Sequence, residues 1–148
     1  LRMGGYGAVS YSLTVSKGGS EGSIADPVVL TLGTAHSGTI DNIDSSWDDG
    51  YSYYKFTTED ADNYTLTMTN SDSLDCQLYS DSGFSTMVTY YYYNDCTAGT
   101  NLSTTFTGAA NSGTSSGLSG STTYYLKIDG ESSTAKTTTY NITVAPEG

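Results

Sequence analysis

Apolar and polar residues alternate with a period of two in several short segments of the chain. In YTLTMTN, Tyr64, Leu66 and Met68 fall on one side and three threonines fall on the other. This pattern is typical of a strand that packs one face on a core and exposes the other. The same alternation recurs in LDCQLY (74–79), YYLKI (124–128) and YNITV (140–144). It predicts antiparallel sheets packed on a core rather than a buried parallel sheet.

Further segments rich in β-branched and aromatic residues are predicted to be strands: Val28–Leu32, Ser37–Ile40, Tyr53–Thr57, Met87–Tyr92 and Leu102–Phe106. Turn-rich segments separate them, including 41–50, 81–83 and 108–121. No stretch of about ten residues has a helical period. The sequence therefore predicts an all-β domain, a two-sheet antiparallel β-sandwich of jelly-roll-like or Greek-key type.

The first 16 residues, LRMGGYGAVSYSLTVS, read as a strand, a glycine turn and a second strand. Leu1–Gly5 aligns with Leu126–Gly130, and Tyr11–Val15 aligns with Tyr140–Val144. Residues 1–16 thus resemble the end of the same kind of domain, which we interpret as its closing hairpin.

We therefore predict an extra N-terminal β-hairpin (1–16), a Gly/Ser linker (17–23) and a sandwich (24–148). The hairpin has an apolar face that is expected to form an assembly strand: Val9, Tyr11, Leu13 and Val15. It belongs to a neighbouring module of a tandem array, adds to its own sandwich, or donates a strand to another copy in a head-to-tail filament. We favour the intermolecular alternative.

The charge of the chain limits its partners. Its 148 residues carry 16 acidic and five basic side chains, a net charge of −11. Such a chain repels phosphate backbones and anionic lipid, so we expect neither nucleic-acid binding nor membrane insertion. The composition is typical of an extracellular or cell-surface protein, although no signal peptide is present in these residues.

The chain has two cysteines, Cys76 and Cys96. An extracellular chain with an even number of cysteines favours one disulfide. Closing a loop of about 20 residues would stabilise the fold by roughly 3 kcal/mol. Two buried thiols are the alternative.

An acidic segment, DNIDSSWDDG (41–50), is a candidate calcium site. Calcium prefers six to eight oxygen ligands, which Asp44, Asp48 and Asp49 would begin to supply. The segment lacks the glycine and the closing glutamate of an EF-hand loop. A solvated acidic turn is the alternative.

The run TYYYYNDC contains Tyr90, Tyr91, Tyr92 and Tyr93, whose side chains alternate across a strand. The outward pair, beside Trp47, Tyr51 or Tyr53, would form a platform for sugar rings or an extended peptide. It would equally suit a contact between subunits. Half-buried tyrosines with no ligand are the third interpretation.

No pattern in the chain predicts catalysis. His36 is the single histidine, so any histidine-based catalytic triad would have to use it. We predict that the protein is not an enzyme.

Several segments, taken in order, resemble the bacterial pre-peptidase C-terminal domain family: LTLGTAHSGTID, DDGYSYYKFTT, YTLTMTNSDSLDCQLYSDSG, TTYYLKIDG and YNITV. The resemblance spans Val28 to Val144 and implies a secreted β-sandwich module, related in fold to bacterial collagen-binding domains. Ser52 stands where the family often has Asp before an aromatic pair.

These observations predict an extracellular, non-enzymatic structural module that assembles into a filament or tandem array through its N-terminal hairpin. Its partners are then other copies of itself or neighbouring modules. The alternative is an accessory module of a secreted hydrolase that binds polysaccharide or protein.

Overall fold

The chain folds into strands joined by turns, as predicted. The computed structural model describes residues 21–42, 50–60, 62–71, 74–89, 101–108, 116–130 and 136–147, so the predicted N-terminal hairpin lies outside the described residues. The described strands are β1 (Val28–Val29), β2 (His36–Asn42), β3 (Tyr51–Thr57), β4 (Tyr64–Asn70), β5 (Leu74–Tyr79), β6 (Met87–Thr89), β7 (Asn101–Gly108), β8 (Ser116–Gly117), β9 (Thr123–Gly130) and β10 (Lys136–Pro146).

The strands form two five-stranded sheets. Sheet A has the order β1-β3-β9-β5-β6, and sheet B has the order β2-β10-β4-β7-β8. Among the described strands, β5–β6 and β7–β8 are consecutive neighbours within one sheet, while the other consecutive pairs cross from one sheet to the other. This is the connectivity of a jelly-roll-like sandwich, and it confirms the predicted fold class.

The hydrophobic core lies between the sheets. Inward positions of both sheets are buried, and the alternation of β4 is as predicted, with Leu66 and Met68 fully buried and Thr67 and Thr69 exposed. The largest fully buried side chains come from both layers: Tyr54, Tyr64, Tyr140, Phe56, Ile40, Leu66, Met68, Leu74, Leu78, Leu118 and Leu126. Apolar burial on facing sheets is therefore what holds the two layers together.

One strand pairing is parallel, and one local prediction is wrong. Val28–Val29 pairs parallel with β3, because the chain runs along β3 in the same direction before it crosses to sheet B. Residues 116–117, predicted as part of a turn-rich segment, form β8. Leu118, which follows β8, is 1% exposed and bridges Asp62, so one leucine anchors this Gly/Ser-rich segment.

The last two strands do not form a hairpin. β9 lies between β3 and β5 in sheet A, whereas β10 lies between β2 and β4 in sheet B. The prediction of a closing hairpin is therefore wrong, because consecutive strands of a sandwich can cross between sheets. A segment that repeats β9 and β10 would likewise be an arch with one strand in each layer.

Candidate functional site

One flank of the sandwich carries a polar cluster around Glu21, at the border of both sheets. The Glu21 N–H donates to Ser52 Oγ at 3.0 Å, and Glu21 O accepts from the Tyr53 N–H at 2.8 Å. Glu21 Oε2 lies 3.5 Å from His36 Nε2 at the start of β2. The chain is therefore fixed to β3 at residue 21 and linked to β2 at the same point.

Two phenols lie beneath this cluster. Tyr54 Oη and Tyr140 Oη share a buried hydrogen bond of 2.5 Å. Burial raises the pKa of both tyrosines, and the adjacent phenol of Tyr140 raises the pKa of Tyr54 further. Ser52 is buried on the same side of β3 as Tyr54, and the Tyr54–Tyr140 hydrogen bond joins the two sheets.

An open cavity of about 310 Å³ borders this flank. It is lined by Glu21, by Ser37–Thr39 of β2 and by Thr139–Asn141 of β10. The Ser37 hydroxyl donates to Asn141 Oδ1 at 2.5 Å. The cavity follows the border strand of sheet B and presents hydroxyl, amide and carboxylate groups, so it suits a polar ligand or a polypeptide main chain.

A second surface, on the solvent side of sheet A, is rich in aromatic rings. We call it the sheet A aromatic surface and define it by Tyr51, Tyr53, Tyr79, Phe84 and Tyr125. The ring of Phe84 lies 4.9 Å from that of Tyr53, 5.4 Å from that of Tyr79 and 5.6 Å from that of Tyr125, each edge to face. These aromatic contacts hold the cluster together outside the main core.

The turn between β5 and β6 positions Phe84. The Asp81 carboxylate accepts hydrogen bonds from the N–H groups of Gly83, Ser85 and Thr86 and from the Ser85 hydroxyl. Phe84 itself adopts a left-handed φ of 52°, which few non-glycine residues adopt. The hydrogen bonds from Thr86 and Ser85 lower the pKa of Asp81. The turn is therefore built around an ionised aspartate.

Charged residues border the aromatic rings. Lys127 Nζ lies 3.8 Å from the centroid of the Tyr51 ring, a cation–π contact, and 3.9 Å from Asp129 Oδ2. Asp75 of β5 is the cross-strand partner of Asp129. Burial and the charge of Asp129 raise the pKa of Tyr53.

Most of the side chains predicted as sites lie outside the described residues. They are Val9, Tyr11, Leu13 and Val15, the acidic Asp44, Asp48 and Asp49, and the aromatic Trp47, Tyr90, Tyr91, Tyr92 and Tyr93. Within the described ranges, no group of three or more His, Cys, Asp or Glu side chains is placed to hold a metal ion. Calcium binding and strand donation therefore stay predictions.

Cys76 is 1% exposed and faces the core from β5, while Cys96 lies outside the described residues. The disulfide stays a prediction. Tyr79, which is buried, and the half-buried Phe84 and Tyr125 were not predicted as members of the sheet A aromatic surface. A signal was available for Tyr125, which occupies an outward position in the alternation of β9.

Comparison with solved structures finds proteins of similar fold. No family of known proteins matches the sequence, and no curated protein matches it. The fold is similar to the pre-peptidase C-terminal domain of a collagenase from Bacillus anthracis, known from a crystal structure at 1.0 Å. The identity is 18%, the TM-score is 0.48, and the match covers 80% of this chain and 94% of that chain. Within the part of the chain that the structure describes, no helix is long and apolar enough to cross a membrane.

Proposed function

We propose that this protein is a non-catalytic extracellular module that assembles with other copies by strand addition, with residues 9–15 of one copy joining β2 of the next. The observation that carries the proposal is the position of β2. It is a seven-residue strand at the border of sheet B, on the flank where Glu21 joins the sandwich.

The central positions of the sandwich support addition at a border. β9 and β10, which residues 1–16 resemble, already lie inside sheet A and sheet B of the same chain. A repeated copy of these strands therefore adds at a sheet border. Of the described border strands, β1 and β8 have two residues and β6 has three, whereas β2 has seven.

The side-chain patterns of the two strands also match. On β2, Gly38 and Ile40 face the core, and Ser37 faces solvent. In the added segment, Leu13 has apolar neighbours two residues away on each side, and polar residues lie between them. One register therefore places the apolar side chains over the core and the polar ones beside the hydroxyls of sheet B.

The same flank offers an apolar contact for the first strand of the segment. β2 packs across from β3 and β9, and β1 borders sheet A next to β3. Val29 on β1 is 66% exposed and Ile24 is 50% exposed. An arch that crosses between the layers, as β9 and β10 do, would cover these side chains with its Leu1–Gly5 strand.

The test is the molar mass of the full chain at micromolar concentration, measured by light scattering on a sizing column. We expect large species, which a chain lacking residues 1–16 does not form. Leu13→Asp should abolish assembly, while the matched control Thr14→Asp, with the same charge on the opposite face, should assemble. Val29→Lys should weaken assembly.

Two results would contradict the proposal. A monomer at all concentrations would mean that residues 1–16 pack on their own sandwich or belong to a neighbouring module. Equal assembly of the Leu13→Asp and Thr14→Asp variants would show that the alternation of this segment does not direct pairing.

A further inference from the structure

We propose that the sheet A aromatic surface binds an uncharged polysaccharide chain. The surface lies on the solvent side of sheet A, whereas strand addition involves β2 at the border of sheet B. This binding is therefore independent of assembly, and either proposal can fail without the other.

The side chains of this surface suit the chemistry of a sugar chain. Sugar rings present C–H groups on their faces and hydroxyls around their edges, so they are bound by aromatic rings flanked by a few polar groups. Here Tyr53 and Phe84 supply adjoining rings 4.9 Å apart, and Tyr51 continues the row 6.3 Å from Tyr53. Gln77 and Lys127, cross-strand partners on the same side of the sheet, supply polar groups beside the rings.

The main chain beneath this surface is less suited to a peptide strand than to a sugar chain. An extended peptide usually binds at a sheet border, where free main-chain groups provide most of the hydrogen bonds. The aromatic surface lies on the face of the sheet, over β3, β9 and β5, where β9 is paired on both sides. A ligand here gains little from main-chain pairing, so stacking on the rings favours a sugar chain over a peptide strand.

The charged side chains of this surface favour an uncharged ligand. The outward positions of β3, β9 and β5 carry two lysines, Lys55 and Lys127, and two aspartates, Asp75 and Asp129. Their formal charges cancel, although the whole chain carries −11. Asp81, in the turn that holds Phe84, adds one negative charge, so the surface is nearly neutral on a strongly acidic protein, which suits an uncharged polymer and disfavours an anionic one.

The test is affinity electrophoresis of the full chain in native gels containing a soluble uncharged polysaccharide: dextran, arabinoxylan, mixed-linkage β-glucan or galactomannan. Polygalacturonate serves as the anionic comparison. We expect at least one uncharged polymer to retard the protein and polygalacturonate not to do so. Phe84→Ala and Tyr53→Leu should each weaken binding about tenfold, the equivalent of about 1.4 kcal/mol.

Two controls make the result specific. Tyr53→Phe keeps the ring and should retain binding, and Thr67→Ala, on the solvent side of sheet B, should leave it unchanged. Circular dichroism establishes that each variant is folded. The proposal is overturned if no uncharged polymer retards the folded protein, if polygalacturonate alone does, or if folded Phe84→Ala and Tyr53→Leu bind as the native chain does.

Discussion

Replacement of Gly38 by alanine tests the contact between β2 and β10 at the centre of the assembly flank. Gly38 is buried and faces the core. A Cβ atom at this position would lie 2.5 Å from Cζ, 2.6 Å from Oη and 2.7 Å from Cε2 of Tyr140. Non-bonded carbon atoms prefer separations of about 3.5–4.0 Å, so the ring or the strand must move by about 1 Å.

The surroundings of Tyr140 determine the cost. Its ring is 2% exposed and its hydroxyl shares the 2.5 Å hydrogen bond with Tyr54, so it has little room to withdraw. Overpacking a core costs typically 1–3 kcal/mol. Loss of the buried hydrogen bond adds about 1–3 kcal/mol, because it leaves a hydroxyl without a partner. We therefore expect Gly38→Ala to lower the free energy of unfolding by about 2–6 kcal/mol, a large part of the stability of a typical domain.

The assay is urea denaturation followed by circular dichroism, with a double-mutant cycle. Tyr140→Leu removes the atoms that the new methyl group would meet, so Gly38→Ala should cost much less in that background. Gly33→Ala is the matched control. Gly33 has a φ of 71° and open space around its Cβ position, so alanine there should cost about 1 kcal/mol of backbone strain alone. A cost below about 0.5 kcal/mol for Gly38→Ala, or the same cost in both backgrounds, would refute the packing argument.

Three further predictions concern ionisation and covalent chemistry. The hydrogen bonds to Asp81 lower the pKa of its carboxyl group, so the turn that holds Phe84 should loosen as the pH falls through that pKa. NMR signals of the Phe84 ring should change between about pH 5 and pH 1. An unchanged ring environment over this range would contradict the prediction. Burial raises the pKa of Tyr54, so its contribution to stability is fully present below the ordinary tyrosine pKa of about 10 and is lost at higher pH. Ultraviolet titration should therefore detect ionisation of Tyr54 together with unfolding. Ionisation of Tyr54 in a fully folded chain would contradict this prediction. If Cys76 and Cys96 form a disulfide, a reductant should lower the free energy of unfolding of the native chain by roughly 3 kcal/mol and leave a Cys96→Ser variant unaffected. Identical denaturation curves of the native chain with and without reductant would exclude a stabilising disulfide.

The inward faces of the strands could be predicted from the sequence because burial follows a local pattern. Leu66, Leu126 and Ile142 occur at alternate positions in their segments, and all three are fully buried. The prediction needs no knowledge of which strands are neighbours. It requires only that one side of each strand faces water and the other does not.

The sheet A aromatic surface could not be predicted in this way. Tyr53, Tyr79 and Tyr125 come from three separate segments and become neighbours only through the pairing of β3 and β5 with β9. Phe84 joins them through a left-handed backbone conformation in a turn held by Asp81. The alternation of apolar and polar residues predicts neither the order of the strands in a sheet nor the backbone conformation of Phe84.

The same limit explains the wrong hairpin and alters the interpretation of residues 1–16. Alternation tells which face of a strand is buried, but not whether the next strand lies beside it or across the core. β9 and β10 read as a hairpin, yet they lie in different sheets. If residues 1–16 repeat this pair, their two strands need two sheet borders on one flank, as β1 and β2 provide. If the receiving flank has only one border that can pair, it can bind only one strand of the arch. Substitution of Val29 on β1 should therefore test assembly as directly as a substitution in β2.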